Sequence, residues 1–247
     1  MNNPPNQLVD NLLGYFRGQG HFEGLGIDKL SDNYVWPKRG SFPSYSHLAD
    51  VTEGDGDNYA KNITLKEQSP RIWIEGSKLE ISKWVVSDWG GIKGNKPATI
   101  ANYVEAICEG RYPSEIKGVA SYSKILSFMD PSEFAIYDAR VAISLNAIQL
   151  LQREKHGTAF TYLPGRNTKL QIFRKLPPTQ RSALLQTGWS PLASNDCYAF
   201  YLSTLKRVRS ELGSAQLYKL EMSLFADAEE LAGRYIEASQ SERASLS

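Results

Sequence analysis

Histidine and cysteine are scarce in this chain: three His (His21, His47, His156) and two Cys (Cys108, Cys197) among 247 residues. It contains no Cys-x-x-Cys, no His-Glu-x-x-His and no Cys/His cluster. Neither a structural zinc nor an iron-sulfur centre therefore has ligands at the usual spacing, and no metal or other cofactor is expected. No apolar run approaches the roughly 20 residues that cross a bilayer. The start, Met1-Asn2-Asn3-Pro4-Pro5, has neither the basic nor the apolar region of a signal peptide. These absences predict a cytoplasmic protein with no membrane partner, whose two thiols are reduced and buried. Asn62-Ile63-Thr64 is then a chance sequon. Gly18-Gln19-Gly20-His21-Phe22-Glu23-Gly24 misses the dinucleotide spacing by one residue and follows a helix pattern rather than a strand, which excludes it. Gly91-Ile92-Lys93-Gly94-Asn95-Lys96 lacks the Lys-Ser/Thr ending of a phosphate loop, and Asp55-Gly56-Asp57-Asn58 lacks the glycine of a calcium loop; both read as turns.

The composition, 41% hydrophobic, 11% aromatic and 22% charged, is that of a globular protein long enough for one large domain or two small ones. A net charge of +1 conceals an uneven distribution. Residues 141–210 carry ten Lys and Arg against two acids, whereas residues 211–247 carry three against seven. The basic stretch suits phosphate contact, and it equally suits a solvated face balanced by the acidic C-terminal helix.

Periodicity predicts a mainly α protein with at most a few short strands. After a helix over Asn6 to Arg17, residues 1–75 read as an irregular N-terminal cap, rich in turns and carrying Tyr34, Trp36, Phe42 and Tyr45, aromatics that need a surface to pack on. Arg71-Ile72-Trp73-Ile74-Glu75 alternates and predicts a short strand. Over 76–237 the period is helical. Ile81, Trp84, Val85 and Trp89 share a face before Gly90-Gly91, and Ile100, Tyr103, Val104, Ile107 and Cys108 repeat the pattern before Gly110. A third helix follows Gly118 to Met129, Asp130-Pro131 breaks it, and a fourth starts near Asp138. Phe160 to Phe173 reads as a hairpin turning at Pro164-Gly165, with helix-coil-helix as the alternative. Helices over Asn195 to Leu212 and Ser214 to Glu237 close the chain, and 238–247 reads as a frayed tail.

The segment Ile116-Lys117-Gly118-Val119, followed by Phe134-Ala135-Ile136-Tyr137-Asp138, resembles the catalytic region of the helix-hairpin-helix DNA glycosylases, in particular the branch with the 8-oxoguanine glycosylase fold. The resemblance covers roughly residues 76–150, with Leu163-Pro164-Gly165-Arg166-Asn167 a possible second signature. It implies a monomeric, metal-independent enzyme that flips a modified base out of double-stranded DNA and excises it. Oxidised purines are one substrate class of such enzymes, in repair. Glucosylated hydroxymethylcytosine is another, removed from phage DNA in antiviral defence. Gly118, Val119, Ala120 and Ser121 become the phosphate seat at a helix start. Asp138 becomes the carboxylate that stabilises the cationic sugar or activates water, although its place at a helix start also fits a plain N-cap.

This chain departs from the family pattern in two places. Ala120 stands where the hairpin usually has a second glycine, and Tyr122 stands where bifunctional members carry a Schiff-base lysine. Two residues turn a helix by about 200°, so in this preferred register Lys124 points away from the nucleophile position, and the enzyme is monofunctional, leaving an abasic site. A second register puts Lys124 at the nucleophile and adds a lyase step. Arg140, Arg166 and Lys169 are candidate grips on the DNA backbone, and Trp84, Trp89, Tyr122 and Phe128 candidate walls of the base pocket, although helical stripes also fit those four as core. The alternatives to an enzyme are a non-catalytic DNA-binding module and a helical protein-interaction domain.

Overall fold

After a turn over 131–133, the chain from Phe134 to Tyr137 passes into the core without a helix or a sheet ladder, and side chains of neighbouring helices bond its backbone. In a computed structural model that describes residues 3–37, 42–213 and 215–245, with side chains as far as residue 241, Tyr198 Oη donates to Ala135 O and Tyr201 Oη to Ile136 O, at 3.0 and 2.9 Å. The Tyr137 amide donates to Ser123 Oγ at 3.1 Å. A buried segment without a helix or sheet ladder needs such partners for every donor and acceptor. Among the described residues thirteen α-helices surround it.

The N-terminal region contributes α1 (Asn6–Phe16), the short α2 (Leu30–Asn33) and α3 (Ala49–Thr52), and the 18-residue α4 (Asn58–Glu75). The region is therefore less irregular than its turns suggest. Asp57 caps α4 by accepting the Ala60 amide. Pro70 inside α4 cannot donate to Lys66 O, and Ser69 Oγ takes over that acceptor at 3.1 Å. Arg71 to Glu75 is the last turn of this helix, not a strand. Ile72 and Trp73 are both buried while Ile74 is 75% exposed, an order that period-two alternation cannot produce.

α5 (Lys78–Lys83) runs on into a π-helical turn over Trp84–Trp89, closed by Gly90 N to Val85 O. α6 (Pro97–Cys108), the connection 109–118 and α7 (Val119–Met129) follow. Gly118 has a left-handed backbone (φ +83°), and a Cβ there would lie 2.0 Å from Tyr103 Oη, so only glycine fits. α8 (Ala139–Leu151) is buried on nearly every side, against α1, α12, α13 and α9, as a helix without a polar face must be.

The hairpin expected over 160–173 is absent. Thr158–Ala159 (β1) pairs in parallel with Ser190–Pro191 (β2), and residues 168–175 are helix α9 (Thr168–Lys175), capped by Asn167. The backbone of 158–160 finds its partners on α8: Asn146 exchanges two hydrogen bonds with Phe160, and Gln149 two with Thr158. Side-chain amides thus replace the expected second strand. α10 (Arg181–Gln186) and α11 (Cys197–Leu212) follow.

The helix expected from Ser214 to Glu237 is two helices, α12 (Leu217–Ala226) and α13 (Ala228–Ser245), broken at Asp227; Ser214 lies outside the described residues. α13 also absorbs the expected frayed tail as far as Ser245; the two residues beyond it are outside the description. Cys197 is buried as expected, but Cys108 is exposed, because it lies one helical step past the buried Ile107. Among the described residues no helix is long and apolar enough to cross a membrane.

Asp227 fastens the N-terminal region to the helix break. Its Oδ2 accepts Tyr15 Oη at 2.8 Å and the Gly26 amide at 3.0 Å, and its Oδ1 accepts Asn33 Nδ2 at 2.8 Å. Burial still holds its carboxyl above the ordinary range despite these three donors. Asp227→Ala strands three donors, each worth about 1–3 kcal/mol. Urea denaturation is expected to show a loss of at least about 3 kcal/mol, against less than about 0.5 kcal/mol for Asp32→Ala on the surface.

Candidate active site

The Ser123–Tyr137 hydrogen bond fixes the register of α7 against the extended segment, and the residues one step further on each chain, Lys124 and Asp138, come together. Lys124 Nζ lies 3.9 Å from Asp138 Oδ2. Asp138 is the N-cap of α8: its Oδ1 accepts the amides of Arg140 and Val141 at 2.9 and 3.1 Å. The N-cap reading of Asp138 is met by one oxygen, while the other faces the lysine. Lys124 is held by Ala120 O, 3.2 Å from its Nζ, and by Gly90, where a Cβ would lie 2.7 Å from the lysine Cδ.

Both side chains open into a cavity of about 270 Å³. Trp89, Trp36, Tyr34 and Phe225 supply aromatic walls, Glu221 a carboxylate, and Gly165 and Arg166 part of the rim. Of the two α7 positions weighed from sequence, Lys124 and not Tyr122 faces Asp138 and the cavity. Tyr122 is sealed in the core, where its ring packs edge-on against Tyr103 and Tyr198 and its hydroxyl donates to Glu115 O. Two steps along α7 do point the other way, and that way is the cavity.

Of the four expected pocket aromatics only Trp89 lines the cavity. Trp84 and Phe128 pack on each other in the core, with Phe42 and Tyr45 beside Trp84. Trp36, Tyr34, Phe225 and Glu221 had no distinguishing signal in the sequence, because they come from a cap loop and from α12, remote from the Asp138 segment.

Ala120 lines the cavity, Val119 and Ser121 are buried, and Gly118 is half-buried at the start of α7. Arg140 is committed inward. It pairs with Glu229 at 2.5 Å, lies 4.9 Å from the Phe225 ring centroid, and leaves little surface for a phosphate. Arg166 and Lys169 are exposed, Arg166 also donating to Gly91 O across the mouth. The basic stretch does not form one free face: Arg174, Arg181, Arg207 and Arg209 donate to backbone carbonyls, and Lys206 pairs with Glu133.

A second ion pair lies behind the first. Lys66 and Glu221, both almost fully buried, meet at 3.4 Å, and Lys66 also donates to Ser127 Oγ at 2.7 Å. Burial pushes the Lys66 ammonium below its ordinary value and the Glu221 carboxyl above its own, so desolvation outweighs their attraction in both. Asp138 pushes Glu221 further up, and Lys124 pushes Lys66 further down. Two cations and two carboxylates therefore form one coupled group. Comparison with protein-family models, curated proteins and solved structures finds no match in any of the three.

Lys66→Met leaves Glu221 buried without its partner, and denaturation is expected to show a loss of about 3–5 kcal/mol, most of it recovered by adding Glu221→Leu. Without Lys66 the Glu221 carboxyl sits still higher in the folded state. Such a group contributes stability below the ordinary glutamate value and loses it as pH rises through the folded value. The deficit of Lys66→Met should therefore be larger at pH 8 than at pH 5.

Proposed function

We propose that the chain is a DNA glycosylase that takes a flipped, modified base into the aromatic cavity and breaks its N-glycosidic bond, with Asp138 as the essential carboxylate and Lys124 as nucleophile. The observation that carries this reading is the Lys124–Asp138 pair, 3.9 Å apart, the lysine in the middle of α7 and the aspartate at the start of α8, both open to a cavity with indole and phenyl walls. Cutting the bond sends its electron pair away with the base and leaves positive charge on the sugar, which the uncapped oxygen of Asp138 stabilises. The Lys124 amine, its proton passed to that carboxylate, adds to C1′. The C1′-bound nitrogen gives up a proton to water, the carboxyl returns its own to the ring oxygen as the C1′–O4′ bond opens to a protonated imine, and the freed Asp138 carboxylate takes the C2′ proton, whose bonding pair forms C2′=C3′ as the C3′–O bond breaks and the 3′ phosphate leaves. This is the bifunctional course, which the placement of Lys124 supports over simple hydrolysis.

α6, the connection 109–118 and α7 serve as the helix-hairpin-helix, with Gly118 to Ser121 against a phosphate through the amides of Gly118 and Ala120, since those of Val119 and Ser121 already donate to Ile116 O and Gly118 O. Arg166 and Lys169 hold the strand beside the mouth. Phosphate contacts and stacking on Trp36 and Trp89 offset the few kcal/mol, on the order of one unstacked pair, that flipping requires.

The test is incubation with duplexes bearing oxidised, alkylated, deaminated or glucosylated bases, followed by mass analysis of the released base. Asparagine caps helices as well as aspartate does, so Asp138→Asn should fold normally and bind duplex while excision falls by about 10²-fold or more. Borohydride should trap a protein–DNA adduct with the wild type and not with Lys124→Gln. Unchanged base release by Asp138→Asn, or no release from any of these DNAs by the wild type, overturns the reading in favour of a binding module.

A further inference from the structure

The sequon at Asn62 carries a side chain with a different use. Asn62 is fully buried on α4, and its amide is committed on both sides. Oδ1 accepts the Trp89 indole N–H at 2.9 Å, while Nδ2 donates to Trp36 O at 2.9 Å and to Asn58 O at 2.6 Å. The Trp36 indole N–H in turn donates to Trp89 O at 3.1 Å. Trp36, Asn62 and Trp89 thus form a closed ring of three hydrogen bonds between residues 26, 27 and 53 positions apart.

The two indoles come from a loop and from a π-helical turn, neither of which fixes a side chain by its own geometry. Each has one indole donor, and both donors are used inside the ring. Half-buried Asn58 and buried Lys66, one helical turn to either side of Asn62, extend the same polar stripe: Asn58 Nδ2 donates to Pro37 O, and Lys66 reaches Ser127 and Glu221. A helix core usually buries apolar groups. Here α4 turns amide and ammonium groups towards the residues that line the cavity.

We propose that Asn62 is a positioning residue that holds Trp36 and Trp89 as the walls between which the flipped base stacks. The proposal rests on the glycosylase reading. Its distinguishing consequence is that Asn62 matters for a base in the cavity and not for the sugar chemistry of Lys124 and Asp138, since a preformed abasic site has no base to stack.

The test uses full-length wild type, Asn62→Asp and Asn62→Leu on three duplexes carrying 8-oxoguanine, glucosylated 5-hydroxymethylcytosine or a preformed abasic site, under single-turnover conditions. Asn62→Asp keeps the acceptor for Trp89 and loses the donor to Trp36; Asn62→Leu loses both. The ratio of base excision to abasic-site cleavage should fall at least tenfold in Asn62→Leu and by less in Asn62→Asp. The half-saturating protein concentration for the base-bearing duplex should rise in the same order. Equal losses on the base-bearing and abasic duplexes, tracking a fall in Tm, would make Asn62 merely structural and overturn the proposal; an unchanged ratio would overturn it too. A wild type that cleaves the abasic duplex yet releases neither base removes the stacking role while leaving Lys124 chemistry in place. A wild type inert on all three, and trapping no adduct, sinks the glycosylase reading and this proposal with it.

Discussion

One hydrogen bond, from the Tyr137 amide to Ser123 Oγ, sets how α7 lies against the strand-like segment that precedes α8. Ser123 and Tyr137 are each followed by the residue that faces the cavity, so a slip of one residue at this contact would move Lys124 and Asp138 out of register together. The neighbouring carbonyls of Ala135 and Ile136 are held by tyrosines of α11, which makes the segment rigid without any sheet. The bridge expected between two consecutive helices is thus built from side-chain hydroxyls contributed by a helix some sixty residues further along.

The parts of the fold that were legible in the sequence are those where periodicity and capping agree. Gly118 and Asp138 mark the starts of α7 and α8, and Gly90-Gly91 the end of the helix carrying Trp84 and Trp89. Legibility failed where tertiary contacts replace local pattern. Residues 71–75 alternate in hydrophobicity yet extend α4, since Ile74 is left in solvent. The stripe from Leu217 to Leu231 runs unbroken through the sequence, but the chain breaks at Asp227 because its carboxylate is wanted by three donors from the N-terminal region. The site was half legible. Lys124 and Asp138 lie in the segment that carries the resemblance, and Trp89 was named as an aromatic near it in sequence. Trp36, Glu221 and Phe225 carry no local mark of their role and become recognisable only when α4 and α12 close around them.

The N-terminal region, which resembles no family motif, is a structural part of the site. It gives the cavity Tyr34 and Trp36, and through α4 it supplies Asn62 and Lys66 behind the walls. Buried polar groups are costly unless fully paired. On α4, Asn62 and Lys66 meet this demand behind the lining residues, as Asn146 and Gln149 do on α8 and Asp227 does at the break before α13.

The quartet of Lys66, Lys124, Asp138 and Glu221 sums to zero when all four are ionised. Such an interior exerts no net pull on an anion, so any attraction of that sign is left to exposed guanidinium and ammonium groups at the rim and beyond it, Arg166 and Lys169 among them. Added salt screens the exposed cations at the mouth and leaves the charge balance of the buried quartet largely untouched.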